Sequence, residues 1–135
     1  MTEQLSFVKP TKNMEEAYYE YINEWKQFGE KMIPSTLRHF PNDYDRFLQK
    51  LKRDALEEQP EGRVPATTFF LINKSDKIIG ACNIRHRLNE NLFITEGNIG
   101  YGVRPTERGR GYATVILRNA LNHLKSLGVE RALVT

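Results

Sequence analysis

The sequence predicts an α/β protein of the α+β type, in which helices flank a mixed but mostly antiparallel central sheet. Two runs rich in β-branched and aromatic residues, 67–72 and 78–84, are separated by a polar turn and predict an antiparallel hairpin. Near the end of the chain, a strand, a glycine-rich turn, an amphipathic helix and another apolar run predict a right-handed βαβ unit with parallel strands. The 135 residues, 39% of them hydrophobic, are enough for one domain over residues 1–135.

The first elements predicted along the chain are a short strand over residues 5–9 and a helix that ends before Gly29. Asn13 is expected to cap this helix, with Glu16 three residues further on as is typical of helix starts. An apolar stripe at helical spacing predicts that one face of the helix packs in the core. The stripe contains Met14, Tyr18, Tyr21, Ile22, Trp25 and Phe28.

A second helix is predicted after Asn42, with apolar side chains on one face, and is expected to end near Glu58 before a loop rich in glycine and proline. The apolar stretch over residues 92–103 is interrupted by Gly97 and Gly100. Glycine inside a strand indicates a bulge or a close approach of another backbone segment. For Gly100 and Gly102, which flank Tyr101, a bulge and a plain edge strand both stay open.

The helix after the glycine-rich turn is predicted by a further apolar stripe, with Gly128 as its C-terminal cap. The apolar residues 129–135 predict the returning strand of the βαβ unit. The stripe contains Ala113, Ile116, Leu117, Ala120, Leu121 and Leu124.

The turn between this strand and helix carries the clearest chemical signal. Pro105 stops the strand and the helix begins inside the turn, so its first backbone N–H groups have no intrahelical partner. Gly109 and Gly111 carry no Cβ that would hold a ligand away from those groups. With the guanidinium groups of Arg108 and Arg110 beside the positive end of the helix dipole, the turn is suited to a phosphate or pyrophosphate.

Residues 108–113, Arg-Gly-Arg-Gly-Tyr-Ala, match the Arg/Gln-x-x-Gly-x-Gly/Ala signature of the GNAT superfamily. The chain resembles these acyl-CoA-dependent N-acetyltransferases in the order of its elements as well. The resemblance implies acetyl-CoA as co-substrate, no metal, and transfer of an acetyl group to a primary amine of a small molecule or peptide. It also implies that CoA is bound by Val103, Arg108, Gly109, Arg110, Gly111, Tyr112, Ala113 and Thr114.

For catalysis, the resemblance implies a backbone N–H near Val103 that stabilises the negative charge developing on the thioester carbonyl. An alkylammonium has a pKa near ~10.4, so a base or a water relay must take its proton. Many family members place a glutamate for this purpose where this chain has Gly97. Glu96, the nearest carboxylate, is therefore the candidate base, and a solvated turn residue is the alternative.

Tyr101 is the second catalytic candidate, since its hydroxyl could orient the amine or the thiolate. The alternative is a core or edge aromatic. His86 is interpreted as a surface histidine. In the family, the first helix and the loop after it wall the acceptor site, so Trp25, Phe28 or residues 32–40 are expected near the acceptor.

Family members normally continue past the strand over residues 129–135 with another helix and two more strands. We therefore expect that this chain lacks the C-terminal part of the domain. The last strand would then be an exposed apolar edge, through which a second copy or another chain could complete the fold.

Composition excludes several classes of function. The net charge of +3 comes from 20 basic and 17 acidic residues spread along the chain, which argues against nucleic acid as a partner. No apolar run approaches the length of a membrane span, and the single Cys82 cannot form an internal disulfide, so we expect a cytoplasmic protein. A non-catalytic acyl-CoA-binding module or an inactive fragment is the alternative function. A dinucleotide-binding domain is disfavoured because the turn lacks Gly-x-Gly-x-x-Gly spacing.

Overall fold

The computed structural model describes residues 4–88 and 97–129. In this part of the chain, four strands form one sheet in the order β1-β2-β3-β4, and every neighbouring pair is antiparallel. The strands are β1 (Leu5–Val8), β2 (Ala66–Asn73), β3 (Ile78–Arg85) and β4 (Ile99–Val103). The helices are α1 (Glu15–Gln27), α2 (Tyr44–Asp54) and α3 (Tyr112–Ser126), with short 3₁₀ turns at Lys12–Met14, Ser35–Arg38 and Pro105–Glu107.

The predicted α+β class, the first strand and the hairpin are confirmed. The antiparallel part of the predicted mixed sheet is present as β1 to β4. The predicted last strand and the expectation of a shortened domain fall on residues 130–135, which lie outside the described residues. The parallel pair of the βαβ unit therefore stays a prediction. Residues 92–96 of the apolar stretch 92–103 also lie outside the described residues.

Two predicted helix boundaries are wrong. Asn13 does not cap α1, because it lies inside a 3₁₀ turn that precedes the helix, and its side chain accepts a hydrogen bond from the Thr11 hydroxyl. The second helix ends at Asp54 rather than near Glu58. The Gln59 side-chain amide donates to the carbonyls of Arg53 and Leu56 at 2.7 and 2.8 Å. These bonds satisfy carbonyl groups that continued helix would have used.

One face of the sheet is covered by α1 and α2, and an aromatic core fills the space between them. The ring of Tyr18 stacks on Phe47 with centroids 4.7 Å apart, and Phe47 lies 6.2 Å from Phe70 of β2. The predicted stripe of α1 is confirmed for its buried members Tyr18, Tyr21, Ile22 and Trp25. Phe28 is the exception: it follows the last residue of α1 and is 50% exposed.

The other face of the sheet is covered by α3. Its residues Ile116, Ala120 and Leu124 recur every fourth position and are buried against β2, β3 and β4. Leu121 was predicted on this stripe, but it lies one position past Ala120 and is exposed. Gly128 follows α3 with a φ of +87°, in agreement with its predicted role at the helix end.

Strand β4 is the outer strand of the described sheet, and its register with β3 is continuous from Ile99 to Val103. The pairing therefore contains no bulge between β3 and β4. The choice between a bulge toward the predicted parallel neighbour and a plain edge strand stays open, because residues 130–135 lie outside the described residues. Gly102 is required for another reason. A Cβ at this position would lie 2.4 Å from the carbonyl oxygen of Ile33, because the segment after α1 packs directly on the strand.

Candidate functional site

The glycine-rich turn is held open by its backbone conformation. Gly109 and Gly111 have φ values of +79° and +84°, a region that side chains other than glycine rarely adopt. A Cβ built at either position meets no atom within 4 Å. Positive φ, rather than crowding, explains both glycines, and the space outside the turn is accessible to a ligand.

The N-terminus of α3 lies at this turn. Gly111 is the N-cap residue, and no side chain among residues 4–88 and 97–129 caps it. The first bond of the helical pattern runs from the Val115 N–H to the Gly111 carbonyl. Tyr112 is 7% exposed and packs into the core under α3, whereas Thr114 is exposed. The first turn is thus anchored on one side while its outer side faces solvent. Backbone N–H groups at such an end, together with the helix dipole, favour an anion.

The two arginines of the turn have different surroundings. The Arg110 side chain is 64% exposed, and its Nε lies 3.7 Å from Glu107. The Arg108 guanidinium forms an ion pair with Glu30 at 2.8 Å and lies 5.2 Å from the centre of the Trp25 ring. Its Nε also donates to the Val103 carbonyl at 3.3 Å. Arg108 therefore connects the turn to the end of α1, and Arg110 is the more exposed cation.

The ladder between β3 and β4 fixes the direction of the Val103 amide. The N–H groups of Arg85 and Arg104 donate across the pair to Asn98 and Ile79, at 2.7 and 2.8 Å. In an antiparallel ladder the backbone groups alternate between facing the partner strand and facing away from it. With Val103 opposite Gly80, its N–H points away from β3, toward the outer edge of the described sheet.

A buried arginine, which the sequence analysis missed, supports the turn from beneath. Arg104 is 1% exposed, and its guanidinium donates to the Ile78 carbonyl at 2.8 Å and to Glu24 of α1 at 3.1 Å. A third bond goes to Glu20. The sequence signal was present but weak: two glutamates at i, i+4 on α1 and an arginine directly before a proline.

Glu24 also holds the residue that follows Pro105. One of its oxygens accepts hydrogen bonds from the backbone N–H and the hydroxyl of Thr106, at 3.0 and 2.9 Å. Burial raises the pKa of the Glu24 carboxyl, but the bonds from Thr106 and Arg104 outweigh burial, so the net pKa is lowered. Glu24 is therefore ionised at neutral pH and fixes the start of the turn to α1.

The predicted catalytic residues are only partly described. Tyr101 is half-buried and packs against the core on the α3 face of the sheet. Glu96 lies outside the described residues. Gly97 is buried, and its carbonyl accepts a hydrogen bond from Arg85 Nη1 at 2.9 Å.

The sequence suggested that His86 is a surface histidine, but the structure shows a more enclosed position. It is half-buried, and its Nε2 lies 2.6 Å from the Thr67 hydroxyl at the end of β3 remote from the turn. Burial lowers the pKa of His86. Its place in the sheet separates it from the glycine-rich turn.

The described residues form neither a metal site nor a membrane-spanning helix. Among residues 4–88 and 97–129, no group of three or more histidine, cysteine, aspartate and glutamate side chains is placed to hold one metal ion. Each helix in the described part of the chain is too short or too polar to cross a membrane.

Comparison with solved structures shows the fold of GNAT acetyltransferases. The chain is similar to an acetyltransferase of the GNAT family from Staphylococcus aureus Mu50, with a TM-score of 0.54, 13% identity, and 93% of this chain and 70% of that one covered. It is also similar to a predicted acetyltransferase from Clostridium acetobutylicum, crystallised with acetyl-CoA. There the TM-score is 0.54 and the identity 14%, with 98% of this chain and 80% of that one covered.

Comparison with curated protein sequences finds no match. A family model gives the decisive result. The model described as Acetyltransferase (GNAT) family matches residues 15–135, which include both α1 and the glycine-rich turn. The chain therefore belongs to the GNAT acetyltransferase family.

Proposed function

We propose that the chain is an N-acetyltransferase that moves an acetyl group from acetyl-CoA to a primary amine of a small molecule or peptide. The amine nitrogen attacks the thioester carbonyl carbon, the carbon–sulfur bond breaks, and the proton lost by the amine ends on the departing thiolate. The open, uncapped turn at the start of α3, in a chain of this family, is the observation that carries the proposal.

The residues of the turn fit the pyrophosphate of CoA. Both glycines leave the backbone accessible, and in the described part of the chain no side chain caps the N-terminus of α3. We propose that the backbone N–H groups of residues 109–114 hold the phosphates, with Arg110 as an outer cation. The acetyl-CoA present in one structural neighbour supports this choice of acyl donor.

At the reacting carbonyl, we propose the Val103 N–H as the hydrogen-bond donor, because it points away from β3. A donor aimed at the developing oxyanion is worth roughly 3–4 kcal/mol in other enzymes. Glu96 or a water relay would take the proton of the amine. Tyr101 would orient the amine or thiolate from the α3 face.

A non-catalytic acyl-CoA-binding module is the second candidate function. One observation favours it: the position where many family members carry a glutamate is the buried Gly97, and its carbonyl is bonded to Arg85. A module of this kind would keep the turn but lack the base.

Calorimetry with acetyl-CoA, combined with thiol release in the presence of a panel of primary amines, tests the proposal. We expect binding together with thiol release that depends on the amine. Thiol release without any amine is the background to subtract. Binding without turnover would favour the module, and absence of binding would contradict both candidate functions.

Arg110→Ala is expected to weaken acetyl-CoA binding about threefold, and by less at high salt. The side chain is 64% exposed, and exposed charges contribute only about 0.2–1 kcal/mol and are screened by ions. Calorimetry at low and high ionic strength measures this effect. Arg118→Ala, which removes an exposed cation further along α3, is the control. Equal loss in both variants would show that overall charge, rather than Arg110, attracts the ligand.

A further inference from the structure

The side chain of Arg108, the first residue of the signature, contacts the strand that precedes the glycine-rich turn. Its Nε donates a hydrogen bond to the Val103 carbonyl at 3.3 Å. Val103 lies opposite Gly80 in the antiparallel ladder, so its carbonyl, like its N–H, points away from β3. The Arg108 guanidinium therefore lies at the same outer edge of β4 as the proposed oxyanion donor.

Two further contacts hold the guanidinium in this position. Its Nη1 lies 2.8 Å from one carboxylate oxygen of Glu30 and donates to the other at 3.0 Å. Its Cζ lies 5.2 Å from the centre of the Trp25 ring, and Trp25 is only 1% exposed. Because a buried ring and a carboxylate both restrain the guanidinium, the bond to Val103 comes from a fixed side chain rather than from a freely rotating one.

The segment that carries Glu30 is itself attached to α1 and to β4. The Glu30 N–H donates to the Trp25 carbonyl of α1 at 3.3 Å. Three residues further on, the Ile33 carbonyl packs so closely on β4 that it would lie 2.4 Å from a Cβ at Gly102. The carboxylate that holds Arg108 therefore has a fixed position relative to the strand.

These contacts distinguish Arg108 from the neighbouring cation of the turn. Arg110 has a single carboxylate 3.7 Å away, and its side chain is 64% exposed. Arg108 uses its Nε for Val103 and its Nη1 for Glu30, so turning toward a phosphate would break both contacts. The loss of those bonds would offset part of the energy gained from the phosphate. The geometry therefore favours a role of Arg108 at the strand.

We propose that Arg108 is a positioning residue for acetyl transfer, which holds the end of β4 so that the Val103 N–H stays aimed at the thioester oxygen. This inference rests on the proposed function, which supplies the thioester and the developing oxyanion. Arg108 acts through Val103, and Glu30 in turn holds Arg108. A misplacement of about 1 Å can cost roughly a hundredfold in rate, so a restraint on Val103 has a measurable effect.

Arg108→Lys is the decisive variant, because lysine keeps the positive charge but lacks the planar fork of donors that reaches two partners. We expect kcat to fall about tenfold, since the Val103 N–H is less well aimed. The Kd for acetyl-CoA should change by less than about twofold, since the charge near the turn is retained. Arg118→Lys, at an exposed position further along α3, is the control. An unchanged kcat, or weaker acetyl-CoA binding with an unchanged kcat, would overturn the inference.

Infrared spectroscopy of bound acetyl-CoA, labelled at the thioester carbonyl carbon, adds a readout that needs no turnover. A hydrogen bond from the Val103 N–H lowers the stretching frequency of this carbonyl relative to the free ligand. We expect Arg108→Lys to return the frequency toward the free value, and Arg118→Lys to leave it as in the wild type. A purely structural role of Arg108 would not move this band. Equal frequencies in the wild type and Arg108→Lys would therefore overturn the inference.

The two measurements separate this inference from the proposed function. The wild type could bind acetyl-CoA with a lowered carbonyl frequency that Arg108→Lys loses, while no amine is acetylated. The transferase proposal would then fail, and the role of Arg108 in positioning the Val103 N–H would stand. Amine-dependent turnover that is equal in the wild type and Arg108→Lys would have the opposite meaning.

Discussion

Replacing Gly111 by aspartate is expected to abolish acetyl-CoA binding, with a loss of affinity of roughly a hundredfold or more. The new carboxylate would lie at the N-cap of α3, where the proposed phosphates approach the backbone, and like charges brought together at a binding site cost several kcal/mol. A side chain at this φ of +84° adds strain of about 1–2 kcal/mol. Calorimetry with acetyl-CoA measures the loss.

The variant Gly111→Asn separates the effect of the negative charge of aspartate from the effect of adding a side chain. Asparagine has nearly the same size as aspartate and, like it, tolerates a left-handed backbone better than most residues, but it carries no charge. We expect Gly111→Asn to keep most of the affinity and both variants to have similar thermal stability. If Gly111→Asp bound acetyl-CoA as tightly as Gly111→Asn does, the turn could not be the phosphate site.

Glu24→Gln is expected to lower the free energy of unfolding by about 2–4 kcal/mol, because it leaves the buried Arg104 guanidinium with too little negative charge. The Glu24 side chain is only 13% exposed, so water cannot replace the lost partner. Urea unfolding measures the change.

Glu20→Gln is the matched control, since Glu20 bonds to the same guanidinium but its side chain is 59% exposed. Its effect should stay below about 1 kcal/mol. Equal losses of unfolding free energy in the two variants would show that the burial of Glu24 does not determine its contribution to stability.

At acidic pH, the difference in the free energy of unfolding between the wild type and Glu24→Gln is expected to become smaller. The net pKa of Glu24 is lowered by folding, so its stabilisation is complete above the ordinary carboxyl pKa and is lost as the pH falls through the folded value. Urea unfolding at neutral pH and at about pH 3 tests this. If the difference in the free energy of unfolding between the two proteins stayed the same at both pH values, the result would contradict an ionised Glu24.

The turn could be predicted from the sequence because each of its features depends on neighbouring residues. Pro105 ends a strand, positive φ requires glycine at positions 109 and 111, and the apolar stripe of α3 begins directly afterwards. Local rules of this kind need no knowledge of distant contacts. They also predicted the hairpin of β2 and β3.

Arg104 could not be predicted, since its partner Glu24 lies 80 residues away in the sequence. An arginine beside a proline normally indicates a solvated turn, and only the arrival of α1 makes this position buried. The segment that approaches Gly102 could not be predicted for the same reason. The sequence showed a glycine in a strand, but its explanation is the passage of Ile33 above it.

A polar cavity lined by α2, residues 62–64 and β3 could not be predicted from the sequence either. Lys50 and Arg63 come from an exposed-looking helix and a loop, and β3 adds Arg85. The amphipathic pattern of α2 places Lys50 among its charged residues and says nothing about which of them the loop will cover. Only the folded arrangement shows that Lys50 and Arg63 both lie beside Asp54.

The long separation in sequence between Glu24 and Arg104 affects how the chain folds during its synthesis on the ribosome. When α1 leaves the exit tunnel, its two glutamates at i, i+4 repel each other, and their arginine has not yet been synthesised. The ion pairs between α1 and Arg104 can therefore form only after translation has reached the segment just before the glycine-rich turn. The connection between α1 and the start of the glycine-rich turn is then made late in the synthesis of the chain.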